Sequence, residues 1–209
     1  MSKIQNAIMR SVLAAIFIIN VNTACADPSQ QVHDYINSLA NQTINIVQNK
    51  STASQEKTDQ IFLLLRNNFN LEWMAKFVLA QNYRQLSPSQ KTEYQSTYAE
   101  FFLHNYLPNL MQYTDESFRI LRVLESTPGS FTVETQILRS GGKAPVSINY
   151  QVKSKQENIE QYQVIDVVVE GISAIMSQRS EFASTIQQSG VDGFIIQLQN
   201  KVKVMSSKS

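Results

Sequence analysis

Residues 131–153 read FTVETQILRSGGKAPVSINYQVK. Phe131, Val133 and Ile137 fall on one side of an extended chain, with Thr132, Glu134 and Gln136 on the other, because side chains alternate across a strand. Ser140-Gly141-Gly142-Lys143 is a tight-turn sequence. Beyond it Val146, Ile148, Tyr150 and Val152 alternate with Ser147, Asn149, Gln151 and Lys153. The stretch therefore predicts a hairpin with one apolar face. Upstream, Phe118 to Val123 alternates more loosely and is set off by the turn Thr127-Pro128-Gly129-Ser130. Downstream, a polar loop from Ser154 to Gln161 leads into a last apolar run, Tyr162 to Val169, which Gly171 ends. Four such segments with short connections predict an antiparallel, twisted four-stranded sheet covered on one side.

Helical spacing flanks the sheet. From Pro28 to Gln48, Val32, Ile36, Leu39, Thr43, Ile46 and Val47 recur three and four apart, the mark of one buried helical face. A polar break follows at Lys50 to Ser54. Ile61, Leu64, Leu65 and Phe69 carry a second helix, and Trp73, Met74, Phe77 and Val78 a third. Ser87-Pro88-Ser89-Gln90 is an N-cap followed by proline at the first helical position. It opens an aromatic helix through Tyr94, Tyr98, Phe101, Phe102 and Tyr106, which Pro108 is expected to break or kink. After the sheet, Arg179 to Gln188 and Val191 to Lys203 read as two closing helices separated by Ser189-Gly190, with a loose tail from Met205 to Ser209. The fold class is α+β: a helical N-terminal half, the sheet, then closing C-terminal helices around an apolar cavity expected between the inner face of the sheet and the helices.

The first 26 residues read as an export signal. Lys3 and Arg10 supply a basic start, Ser11 to Val21 is apolar apart from Ser11 and Asn20, and Ala24-Cys25-Ala26 places small residues at −3 and −1 of a cleavage site. The apolar run is too short to span a hydrocarbon core of ~30 Å. Lipidation at Cys25 is the weaker reading, because Asn22 stands where such signals place leucine. Cleavage after Ala26 leaves one domain, residues 27–209, with no thiol and with 16 basic against 17 acidic side chains. A chain of this length buries enough surface to fold without a metal or disulfide staple. Its near-neutral charge argues against nucleic acid as a partner.

Little in the sequence speaks for catalysis. The two histidines, His33 and His104, are 71 residues apart, and neither has a cysteine or carboxylate cluster at metal-ligand spacing. Serine-hydrolase, zinc-protease and phosphate-loop motifs are all missing. Asp166, inside the apolar strand, shares a face with Val164 and Val168 on strict alternation. It reads first as a structural hydrogen-bond acceptor and second as a base. The abundant material is apolar and aromatic, with eight tyrosines, ten phenylalanines and one tryptophan in the whole chain. Periodicity alone does not separate a solid core from a lipid-sized cavity.

Several segments together resemble the MlaC, or toluene-tolerance, family of periplasmic phospholipid-binding proteins. Val164-Ile-Asp-Val-Val-Val-Glu-Gly-Ile-Ser173 is similar to the family's strand ending in D-x-x-x-x-G-[VI]-S. Arg179-Ser-Glu-Phe182, then Gly190-Val-Asp-Gly-Phe194-Ile195 and Leu198, resemble its closing helices. Phe69 to Leu79 resembles its F-D segment, and Leu86 to Tyr106 its aromatic helix. Asn70 stands where the family often has Asp, and Ala80 to Tyr83 replaces a common Leu-Gly-x-x-Trp pattern.

The resemblance implies a non-enzymatic carrier with no cofactor and one phospholipid as cargo. It would shuttle that lipid between an outer-membrane lipoprotein complex and an inner-membrane ABC transporter with a membrane-anchored substrate-binding subunit. The expected lipid-binding residues are Phe69, Trp73, Phe77 and Val78 from the early helices, and Tyr98, Phe102, Tyr106 and Leu110 from the aromatic one. Ile120, Val133, Ile137, Ile148, Tyr150, Val167 and Val169 join them from the strands, with Ile175 after the sheet. Asp166, Gly171, Ser173 and Arg179 are family positions read as structural. Two other readings stay open: a periplasmic chaperone or adaptor for apolar protein segments, and a pocket enzyme using Asp166 or His104.

Overall fold

The structure, a computed structural model, describes residues 27–112, 116–155 and 158–207. The signal peptide expected at residues 1–26, with Cys25, lies outside the described residues. So do the middle of the β-hairpin loop at 156–157 and the last two residues of the tail.

Four helices precede the aromatic one: α1 (Pro28–Gln48), α2 (Ser54–Asn68), α3 (Leu71–Leu79) and the single turn α4 (Gln81–Gln85). Side-chain caps start α1, α3 and the aromatic helix, whereas α2 and α4 begin without one. Asp27 caps α1 by accepting from Ser29 N–H, and Asn70 caps α3 by accepting from Trp73 N–H, so an amide serves there as a carboxylate would. Ser87 and Gln90 form a reciprocal capping box at the start of α5 (Pro88–Leu110). Pro108 does not end α5. It forfeits its own hydrogen bond, but Met111 N–H returns to the Leu107 carbonyl at 2.9 Å and the helix closes two residues past the proline.

The sheet runs β1 (Ser117–Thr127), β2 (Ser130–Leu138), β3 (Val146–Lys155), β4 (Asn158–Val169) and β5 (Ile172–Ser173), with spatial order equal to chain order. All neighbours are antiparallel. The sheet thus has five strands where four are expected. Glu170 (φ 49°) and Gly171 (φ 81°) form a two-residue turn with both central residues left-handed, so Gly171 returns the chain into a short fifth strand and does not terminate the sheet. The polar loop expected from Ser154 to Gln161 shrinks likewise, because β3 extends to Lys155 and β4 starts at Asn158.

Helix α6 (Ala174–Ser206) starts five residues before the expected Arg179 and reaches into the expected tail. Ser173 accounts for the early start, since its hydroxyl caps Met176 N–H. Inside α6, Gly190 takes φ 70°, ψ 173°, so two helical arms meet at a kink where Ser189-Gly190 is read as a separator. The inner face of the sheet is covered by α1, α2, α3 and α6, while α5 packs against α2, α3 and α6. One continuous core joins Val32 and Ile36 of α1, Tyr94 to Leu103 of α5, Phe131 to Val152 of the sheet, and Phe182 to Leu198 of α6.

Ala80 links α3 to α4 at φ 50°, ψ −120°, a conformation its Cβ disfavours. Replacing Ala80 with Gly is expected to stabilise the fold by about 1 kcal/mol, the relief of strain exceeding the entropy glycine adds to the unfolded chain. Urea unfolding measures it directly, and a lower midpoint for the glycine variant would contradict the assignment of strain.

Candidate functional site

Cross-strand register sorts the inner face of the sheet into rows. Phe131, Val152 and Val164 form one row; Val123, Val133, Tyr150 and Val167 the next; then Ile120, Thr135, Ile148 and Val169; then Phe118, Ile137 and Val146. Strict alternation from Val164 would turn Val167 and Val169 outward. A register shift at Ile165 inserts one residue and brings them back to the inner face. A second shift at Leu121 does the same for Ile120 relative to Val123. Asp166, opposite Gln151, keeps the face of Val168 that alternation gives it, and the shift at Ile165 separates it from the face of Val164.

Burial along these rows is graded. Phe131, Val152 and Val164 are all sealed, Ile137 and Ile148 are just buried, and Phe118, Ile120, Val146 and Val167 are half-buried. Val169 is 39% exposed. Val133 and Thr135 in the middle rows are fully buried as well, so the face is sealed along β2 and meets solvent on β4 at Val169. Burial among the helical residues is mixed. Phe69, Val78, Tyr98, Phe102 and Ile175 are buried, whereas Trp73, Phe77, Tyr106 and Leu110 are half-buried against the core. Trp73 and Phe77 stack at 5.1 Å. Aromatic contacts link Phe69 to Phe102 and Phe102 to Tyr106 at 5.5 and 4.7 Å.

Within this apolar interior sits a small polar group. The Asp166 carboxylate, 6% exposed, accepts hydrogen bonds from Val167 N–H (2.8 Å), Ile175 N–H (3.2 Å) and the Ser173 hydroxyl (2.5 Å). Tyr98 donates to Gln178 at 2.7 Å, and the Gln178 amide donates to Tyr106 at 3.3 Å. Tyr94 donates to the Ala75 carbonyl, tying α5 to α3. Burial pushes the hydroxyls of Tyr94 and Tyr98 well above the ordinary tyrosine range, so they stay neutral donors. Arg179 lies over the Phe77 ring with its guanidinium carbon 5.3 Å from the centroid. Gln178 and Thr135 escape a reading from hydropathy because each is a polar residue in an apolar stripe. Gln178 falls between Ile175 and Phe182 at helical spacing, a pattern that marks it once the core face of α6 is known.

The residues weighed for catalysis do not converge. His33 pairs with Asp34 on the surface of α1. His104 packs its ring edge-on to Phe62 at 4.9 Å, with Nε2 3.8 Å from a Glu100 oxygen. Among the described residues no set of three His, Cys, Asp or Glu side chains is placed to hold a metal ion, and no helix is long and apolar enough to cross a membrane.

A curved antiparallel sheet whose apolar face is wrapped by helices and meets solvent on β4 defines an α+β protein built around an interior, with its polar groups used as ties. The chain belongs to the MlaC family: the family model "MlaC protein" matches residues 37–200. The intermembrane phospholipid transport system binding protein MlaC of Haemophilus influenzae is 22% identical over 197 residues, covering 92% of this chain and 90% of that protein. A phospholipid-binding protein from Ralstonia solanacearum, solved in complex with a phospholipid, shares the fold with a TM-score of 0.71 at 14% identity, over 87% of this chain and 99% of that one.

Asp166 holds three donors by its negative charge. Replacing it with Asn sets an NH2 group against donors that need acceptors, which is expected to destabilise the fold by about 1–3 kcal/mol. A denaturant midpoint unchanged from the parent would show that the carboxylate is not the tie described.

Proposed function

We propose that the chain is an exported phospholipid carrier. In this reading residues 1–26 are removed after Ala26, and residues 27–209 form one lipid-binding domain in the periplasm. The domain takes a glycerophospholipid between an outer-membrane lipoprotein complex and an inner-membrane ABC transporter with a membrane-anchored binding subunit. The observation that carries this reading is the apolar inner face, sealed at the Phe131–Val152–Val164 row and open at Val169, in a chain of the MlaC family. The acyl chains of the cargo would enter between sheet and helices from the side of Val169, past Tyr106, Leu110 and Ile120, toward Val133, Tyr150 and Phe102. Trp73, Phe77 and Val78 line the α3 side.

Physical chemistry explains the need for such a protein. At ~0.8 kcal/mol per methylene, two acyl chains of roughly 30 methylenes cost on the order of 24 kcal/mol to expose to water. A protein interior that solvates the chains as a bilayer does removes that barrier without an energy source of its own. Direction then has to come from the membrane machinery at either end. The non-catalytic reading is supported by Asp166, whose oxygens already accept from three donors, and by His104, which is packed against Phe62. Arg179, stacked on Phe77, and Gly171, in the β4–β5 turn, serve the architecture here.

Native mass spectrometry of the purified mature protein, followed by lipid extraction, is the direct test. The expected result is a complex heavier by one phospholipid. A bare mass, together with failure to take lipid from vesicles, would overturn the carrier reading in favour of a chaperone or a pocket enzyme. Val133→Trp and Ile148→Trp fill the interior at its centre. Each is expected to abolish retained lipid while costing the fold about 1–3 kcal/mol of overpacking strain. Full lipid content in folded variants would place the cargo elsewhere.

A further inference from the structure

The hydrogen bonds between Tyr98, Gln178 and Tyr106 have a direction, and burial sets it. Tyr98 is wholly buried, and among the described residues its hydroxyl has one hydrogen-bond partner, the Gln178 side-chain oxygen at 2.7 Å. A buried hydroxyl proton without an acceptor is unfavourable, so Tyr98 donates there. That fixes the Gln178 amide, itself 4% exposed. Its oxygen faces Tyr98, and its NH2 group donates to the Tyr106 oxygen at 3.3 Å. The reverse arrangement would leave the Tyr98 proton stranded in the core. Tyr106 therefore receives a hydrogen bond, and its own proton has no acceptor among the described residues. Asn105, the preceding residue of α5, acts on the same oxygen in the sense that Gln178 does, as a donor would. The relay runs from a sealed tyrosine to a half-buried one and ends in an O–H group polarised by the bonds behind it.

What that proton can meet is set by its surroundings. The Tyr106 ring lies 4.7 Å from Phe102, whose ring lies 5.5 Å from Phe69, so Tyr106 stands at the edge of the apolar interior. Burial raises its hydroxyl above the ordinary tyrosine range, and the negative charges of Asp166 and Glu181 act the same way, so it stays a neutral donor. Those two carboxylates oppose a second anion at this point. Arg179, next to Gln178 in the chain, turns its guanidinium to the face of Phe77. A neutral donor between aromatic rings and negative charge suits a neutral acceptor. A glycerophospholipid carries such acceptors in the ester carbonyls where its acyl chains begin, whereas its phosphate is disfavoured by the same charges.

We propose that the Tyr106 hydroxyl donates to an ester carbonyl of the cargo, so that the carrier recognises its lipid at the junction of acyl chain and glycerol. The inference rests on the carrier reading and adds a register for the cargo, with acyl chains running inward from Tyr106 and the head group outside it. Selection then follows the acyl linkage. An ether-linked lipid of equal chain length fills the same apolar space and leaves the proton unmet.

Competition between diester and diether phosphatidylethanolamine of matched chains tests this. Both are offered to the mature protein in mixed vesicles, and native mass spectrometry reads which is taken. The parent is expected to take the diester in about three- to tenfold excess, the range of one neutral hydrogen bond. Tyr106→Phe is expected to lose that preference, holding the diether as the parent does and taking less diester. Equal uptake of the two lipids by the parent overturns the inference, leaves the carrier reading intact and needs no variant. A Tyr106→Phe protein that keeps the preference also overturns it, since another donor then reads the ester. So does a variant that loses both lipids equally, because the hydroxyl then serves the phosphate or the packing alone. A parent that takes neither lipid overturns the carrier reading and this inference with it.

Discussion

The carboxylate of Asp166 is the constraint on which the rest of the molecule depends. It sits beside the one-residue bulge of β4 and accepts from the next residue of that strand, from the serine that ends β5, and from the first turn of α6. Those bonds join three changes of direction: the shift that returns Val167 and Val169 to the inner face, the reversal at Glu170-Gly171, and the departure of α6 across the sheet. A buried carboxylate without such partners would be strongly unfavourable, and with them it fixes the geometry of its donors. Ser173 makes the arrangement compact. Its hydroxyl donates to Asp166 and accepts from Met176 N–H, so one side chain closes the strand and opens the helix.

Around that point the molecule uses polarity sparingly. Tyr98, Gln178 and Tyr106 hydrogen-bond in a line between α5 and α6, and Tyr94 reaches the backbone of α3. These bonds align the helical layer with itself. Hydrogen bonds also tie helices to sheet, from Tyr162 to Gln31 of α1 and from Asn70 N–H to the Val164 carbonyl, while Thr135 turns onto the Ile148 carbonyl within its own sheet.

Much of this was legible before any coordinates. Alternation found β2 and β3 and their apolar face because both strands keep perfect period two across a glycine turn. Helical spacing found α1, α2 and α5, and Ser87-Pro88 located a helix start to the residue. The misses have local causes. The bulges at Leu121 and Ile165 each slip the pattern by one residue, and a periodicity reading has no way to register a slip. The fifth strand has two residues, too few for any pattern. Pro108 was weighed by its average effect, whereas one lost bond near a helix end is absorbed. For the site, the inner-face positions were legible as apolar positions, but the gradient from sealed to open was not. It depends on which rows the helices reach, and Phe131 and Val169 look equally apolar in the sequence.

That gradient also bears on how sequences of this fold drift apart. Where the face is sealed a side chain is specified by volume, since neighbours on all sides leave room for one shape. Where it meets solvent a residue is specified only by being apolar, since one side of it faces no fixed neighbour. Exchanges among Val, Ile, Leu, Met and Phe are therefore expected to cost the fold less beside Val169 than in the packed Phe131–Val152–Val164 row.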